Sequence, residues 1–199
     1  MEAVQSNLLV ALGIPQGLLS PATGRELRGF VRRGGDFVEL SPDAYVLWVR
    51  ALAPQTTSSL AQWYKGRLDA ETVLRNMEDA RLVLRVNWRN DGNVVIPNVR
   101  LLPLGMNWAS NPDNPGTVII ASPDGVPRLF LNPIPFSIWS LCDGQTGLPE
   151  VCSIVSKEHN LPRKIVEENA IGTLLAVMAN RLAYIDVETR IEMRESVIQ

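Results

Sequence analysis

Histidine is almost missing from this 199-residue chain: His159 is the single one, and it lies in a polar stretch ahead of Asn160. A solvated loop histidine explains it better than a catalytic base or a metal ligand. Cysteine is nearly as scarce. Cys142 and Cys152 both fall in helical patterns, where buried, reduced thiols are expected rather than a disulfide. One His and two Cys cannot compose a zinc site, so no metal or other cofactor is expected. There is no Gly-rich phosphate loop and no Gly-x-Ser-x-Gly elbow. Glu167 and Glu168 are adjacent on a helical pattern, so their carboxylates do not face each other. The expectation is therefore a protein without catalysis.

Long hydrophobic runs are also absent. The longest apolar-rich stretch, Ala170–Ala179, falls well short of the roughly 20 residues that a membrane span needs. Met1-Glu2-Ala3 has no basic residues ahead of an apolar stretch, which argues against a secretory signal. A cytoplasmic protein without a membrane partner is expected. Neither charge sign dominates: residues 1–92 carry 11 Lys and Arg against 10 Asp and Glu, and residues 93–199 carry 8 against 11. Neither half has the basic excess of a nucleic-acid binder. What the chain does have is apolar material: 46% hydrophobic against 20% charged residues, enough for a packed core.

That material is arranged twice. Leu40-Ser41-Pro42-Asp43-Ala44-Tyr45-Val46-Leu47-Trp48 lies over Leu131-Asn132-Pro133-Ile134-Pro135-Phe136-Ser137-Ile138-Trp139 at a constant offset of 91. Leu, Pro and Trp are identical, Ser/Asn exchanges one capping residue for another, and Tyr/Phe keeps the ring. The same register sets Gly34 on Gly125, Leu60 on Val151 and Ala61 on Cys152. Leu12-Gly13 corresponds to Leu104-Gly105 at 92. Further on, a longer second copy moves the register to 100, so that Arg81-Leu82 meets Arg181-Leu182 and Leu84 meets Tyr184. Fixed self-similarity of this kind marks a repeat architecture. The copies are assigned to residues 1–92 and 93–199, with the Asp91-Gly92 turn signal at the boundary.

Each copy opens in extended, turn-rich sequence. Phe30–Arg33 and Asp36–Leu40 flank Gly34-Gly35, which supplies positive φ for a tight turn; Thr117–Ile120 and Arg128–Leu131 flank Pro123-Asp124-Gly125. Helix starts follow, with Ser41 and Asn132 expected to cap through their side chains and Pro42 and Pro133 at the first helical position. Tyr45, Trp48, Val49 and Leu52 recur at the spacing of one buried helical face. Second helices are expected near Ser59–Lys65 and Pro149–Glu158, and third helices over Ala70–Asp79 and Arg163–Met178. Each third helix runs into a short strand, Leu82–Leu84 and Leu182–Ile185, with Asn180 as a left-handed terminator. The tail after Asp186 is charged. Of five tryptophans, Trp48 and Trp139 hold matching core positions, whereas Trp63, Trp88 and Trp108 fit either packing or a binding role. The fold class is α+β, with two tandem winged-helix modules, each a β-hairpin or three-stranded sheet packed on three helices.

The second copy resembles a known family. Val118-Ile119-Ile120-Ala121-Ser122-Pro123-Asp124-Gly125, then Leu131-Asn132-Pro133, then Ile138-Trp139-Ser140-Leu141-Cys142-Asp143-Gly144 is similar to the PqqD-like proteins, the precursor-peptide recognition elements of ribosomally made, modified peptides. Val151, Cys152, Val155, the long helix and Asn180-Arg181-Leu182 fill the later slots of that pattern, with Asn180 where Gly is usual. The resemblance spans about residues 98–186. The first copy follows only through the repeat, because Ala53-Pro54 replaces Asp-Gly and Ser41 replaces Asn.

The resemblance implies peptide binding: the leader of a substrate peptide adds as a strand to the hairpin edge and packs against the third helix. It places the edge at Arg128, Leu129, Phe130 and Leu131, with Leu129 and Leu131 pointing one way and Phe130 the other. Groove positions would be Val166, Asn169, Thr173 and Val177, all of which also fit plain core. In the first copy the corresponding edge is Phe37, Val38 and Glu39. The expected function is a non-catalytic protein that presents a precursor leader peptide to a peptide-modifying enzyme, and a homodimer is compatible with it. Two other readings remain. A winged-helix transcription regulator needs basic third helices, yet Arg75 stands among Glu71, Glu78 and Asp79, and Arg163-Lys164 is followed by Glu167-Glu168. The other is a protein–protein scaffold subunit whose tandem modules bind other proteins.

Overall fold

In the computed structural model, which describes residues 8–20, 27–64, 69–86 and 96–187, elements follow one another in an order that occurs twice. Trp88, the Asp91-Gly92 turn and the charged tail from Glu188 onward lie outside the described residues, as does the side chain of Trp108. The first series is β1 (Leu8–Ala11), β2 (Ile14–Leu19), β3 (Arg28–Arg33), β4 (Asp36–Leu40), α1 (Pro42–Arg50), β5 (Gln55–Thr56), α2 (Thr57–Trp63), α3 (Ala70–Asp79) and β6 (Val83–Val86). The second is β7 (Val99–Pro103), β8 (Met106–Asn111), β9 (Asn114–Ala121), β10 (Pro127–Leu131), α4 (Pro133–Ser140), α5 (Leu148–Glu158), α6 (Arg163–Ala179) and β11 (Ala183–Val187). The described chain is thus α+β, with six helices and small antiparallel sheets.

Strand pairing follows the same plan in both series. The opening strand pairs with the closing one: Leu9 lies opposite Arg85 in β1·β6, and Leu101 opposite Ile185 in β7·β11. The next three strands form a meander, β2-β3-β4 and β8-β9-β10. Even the short β5, which pairs with β1, has a counterpart in an isolated bridge between Arg100 and Gly147. The hairpin turns form where the glycines require it, with φ of 57° at Gly34 and 79° at Gly125.

Alternation along β1 joins the two series. Leu9 and Ala11 enter one core with Val31, Leu47, Trp48, Leu60 and Leu74. Val10 and Leu12, on the opposite face, enter the other core with Leu101, Ile120, Trp139, Leu174 and Ile185. Two hydrogen bonds also cross: Gly13 N donates to Ile185 O at 2.6 Å, and Gly34 N donates to Asp186 Oδ1 at 2.7 Å. The paired tryptophans are buried in the two cores. Trp48 Nε1 donates to Leu82 O at 2.9 Å, and Trp139 Nε1 to Asn107 Oδ1 at 3.0 Å.

The helix ends depart from expectation in two places. Ser41 Oγ accepts from Ala44 N at 3.3 Å as a cap should, but Asn132 makes no side-chain cap bond. There Pro133 opens the helix and the Asn132 carbonyl takes Phe136 N at 2.9 Å. Asn180 is not left-handed either: its φ is −91°, and Arg181 adopts +56° instead. Arg81 does the same at +53°. In both copies the next leucine closes a six-residue loop onto the helix, Leu82 N to Met77 O at 2.7 Å and Leu182 N to Val177 O at 2.9 Å. That pattern sets the left-handed position one residue beyond the one expected.

Candidate functional site

A cleft of about 380 Å³ lies between β10 and α6. Its first wall is an edge. In the order β10-β9-β8 the middle strand is paired on both sides, and one side of β10 has no strand partner among the described residues. The pleat then sorts its side chains: Leu131 turns inward and is 5% exposed, Phe130 turns outward and is 57% exposed, and Leu129 is half-buried. Its second wall is α6, contributing Glu168, Asn169, Gly172, Thr173 and Ala176, with Pro135 of α4 beside them. A side chain at Gly172 would meet nothing, so the glycine keeps this stretch of wall low.

The expected positions divide. Leu129, Phe130, Leu131, Asn169 and Thr173 come together around the cleft. Val166 and Val177 do not line it; both are fully buried in the second core, on the inward side of α6. Arg128 stands at a register shift of β10 against β9, where Nε donates to Ser122 Oγ at 3.3 Å. Ser122 Oγ in turn donates to Asp124 Oδ1 at 2.5 Å, a bond that holds the exposed Asp124 carboxyl below its ordinary range. Arg128 is therefore tied to the turn. Pro135, Glu168, Gly172 and Ala176 were not anticipated from the sequence. The i, i+4, i+8 stripe 168–172–176 was their available signal.

In the first series, Phe37, Val38 and Glu39 lie on β4, likewise the edge of its meander. Phe37 is 68% exposed, Val38 packs on the first core, and Glu39 pairs with Arg28 at 3.5 Å. At the offset of 91, Glu39 occupies the place of Phe130. The facing helix differs more. α3 begins at Ala70, the counterpart of Ala170, with Asp69 as its N-cap accepting from Thr72 N at 2.9 Å. Asp69, the counterpart of Asn169, thus caps its helix from outside, where Asn169 lies within α6.

The polar groups at the cleft are mostly engaged with their own helix. Asn169 Nδ2 donates to Ile165 O and Thr173 Oγ1 to Asn169 O, each at 2.8 Å. Arg163 pairs with Glu167 at 2.7 Å and reaches Ser153 Oγ at 3.0 Å, fastening the start of α6 to α5. Burial pushes the Cys142 thiol up to about 12, with Asp143 adding to it, and the Cys152 thiol up to about 11, with Glu167 adding to it. Both thiols are free and buried. His159 sits at the exposed end of α5 with Nε2 2.8 Å from Ser137 Oγ. Trp63 is 41% exposed, and the Arg50 guanidinium lies 5.4 Å from its ring centroid. Among the described residues no group of three His, Cys, Asp or Glu side chains converges as metal ligands would. No helix among them is long and apolar enough to cross a membrane.

A second cavity, of about 500 Å³, separates the two series beside Leu12, Val83 and Val99. Its Glu78 and Arg85 neutralise each other at 2.6 Å. The chain matches no protein-family model, no curated protein and no solved structure.

Proposed function

We propose that this chain is a non-catalytic recognition protein that binds the leader of a ribosomally made precursor peptide by strand addition along β10. It presents that peptide to a modifying enzyme, in the cytoplasm. On this reading residues 1–92 and 93–199 are tandem winged-helix modules, and the second is the PqqD-like one. The observation that carries the reading is the pairing of an open strand edge with an apolar cleft, bordered by Phe130 on the outside and Leu131 within. An open edge supplies backbone donors and acceptors to an extended chain, and alternate pockets supply selectivity. Glu168, the charged residue of the cleft lining, disfavours a phosphate backbone at that surface.

The test is fluorescence anisotropy with labelled leader peptides from precursor genes adjoining the gene for this chain. Phe130→Asp is expected to weaken binding at least about tenfold, the scale of an interface hot spot, while Phe37→Asp leaves it unchanged. If no leader binds, or if Phe130→Asp binds as the unaltered protein does, the reading is wrong.

A further inference from the structure

The cleft's lining also bears on which peptides it takes. Leu129, Leu131, Pro135 and Ala176 make most of it apolar, and Gly172 leaves room between the strand and the helix. Asn169 and Thr173 direct donors back to helix carbonyls, as described above. The one ionised side chain among the lining residues is Glu168, which is exposed. No Lys or Arg is among the lining residues. Arg163 is held by Glu167 at 2.7 Å, and Lys164, one turn before Glu168, stands outside the lining. Arg128, the nearest cation on the strand wall, is bonded to Ser122 rather than turned to the cleft. An apolar trough thus carries a single carboxylate at its helix side and no cation in its lining.

We propose that the strand accepted here bears apolar side chains at alternate positions, which fill the trough, and a lysine or arginine set against Glu168. This rests on the peptide-recognition reading, and it narrows that reading to a class of sequence. Alternation follows from the pleat of an added strand, whose every second side chain faces the cleft. The basic residue follows from the sign of the lining, since a carboxylate at the rim of a cleft without a lining cation favours a cation and repels an acidic strand. An exposed pair of this kind is worth about a two- to fivefold change in affinity, and salt screens it. Glu168 is accordingly a specificity residue rather than the main source of affinity.

The experiment is selection from a displayed library of random 12-residue peptides on the full chain and on three variants, Glu168→Gln, Glu168→Lys and Phe130→Asp. Peptides recovered on the unaltered protein are expected to alternate apolar positions and to carry Lys or Arg beside them. Recovered peptides, resynthesised with a label, should bind Glu168→Gln about two- to fivefold more weakly at low salt, the difference shrinking at high salt. Glu168→Lys should enrich Asp or Glu at the same position, and Phe130→Asp should recover none of the alternating sequences. Alternating peptides without a basic preference, or an unchanged preference on Glu168→Lys, would overturn the inference and leave the strand-addition reading standing. No enrichment on the unaltered protein, or enrichment indifferent to Phe130→Asp, would overturn both.

Discussion

Gly34 N donates to Asp186 Oδ1 at 2.7 Å, a contact between the hairpin turn of the first series and the last described strand of the second, 152 residues further on. Asp186 is 7% exposed and also accepts from its neighbour, Val187 N, at 2.9 Å. One side chain therefore holds β3 and β4 by their turn against β11.

Asp186→Ala is expected to destabilise the chain by about 1–3 kcal/mol, because it leaves partly buried amides without their acceptor. Each kcal/mol lowers the Tm of a chain this size by about 2–4 °C. Thermal unfolding followed by circular dichroism checks the value. An unchanged Tm would mean that the contact contributes nothing to joining the two series.

Two adjacent residues of β10 should separate stability from binding. Leu131→Ala empties a core position and is expected to cost about 2–5 kcal/mol. Phe130→Asp, at a side chain 57% exposed, should stay within about 0.5 kcal/mol of the unaltered protein. Urea titrations of both variants, read beside their peptide affinities, show whether Phe130 acts in recognition without acting in folding.

The helix terminators give a prediction of the opposite sign. Arg181 and Arg81 adopt left-handed backbone at φ of 56° and 53°, which costs a residue with a Cβ about 1–2 kcal/mol. Arg181→Gly should therefore stabilise the chain by up to about 1 kcal/mol. Asn180→Gly, at φ −91° and with Asn180 Nδ2 bonded to Ala176 O at 2.9 Å, should destabilise it. Paired denaturation curves of the two glycine variants decide between them.

The thiols should be inert in the folded chain. With Cys142 pushed up to about 12 and Cys152 to about 11, neither is a thiolate at pH 8, and a disulfide-exchange reagent should titrate none of them until denaturant is added. The sign of the linkage follows. Above about pH 8.5 unfolded thiols lose protons that the folded chain retains. Their contribution to stability is full below that pH and declines as pH rises through the folded values. Equilibrium unfolding between pH 8 and 10 should show the decline, and a double Cys→Ala variant should flatten it.

Much of this architecture was legible because local chemistry and burial agree. The limits of α3 match the expected Ala70–Asp79, and Gly34 and Gly125 mark both hairpin turns. What the sequence does not carry is non-local. Nothing in Leu8–Ala11 announces that it pairs with Val83–Val86, because the alternation of a strand names its faces but not its neighbour. The cleft was half legible for a similar reason. The family resemblance implied groove positions at Val166 and Val177, but full burial of α6 on that side makes them core. The cleft instead uses Glu168, Gly172 and Ala176, residues that no hydrophobic pattern selects.

The order of pairing has a consequence for synthesis on the ribosome. Both described strand partners of β1, β5 and β6, have been made by Val86, so the nascent first half can close its own sheet before β7 emerges. Val10, Leu12 and Val86 belong to the other core, however, and stay uncovered until the second series arrives. Gly13 N likewise awaits Ile185 O on the last described strand. A chain halted between Val86 and Ile185 is therefore an aggregation-prone species with a bare apolar sheet face, so slow translation or truncation in this interval would harm yield more than the same change after Val187.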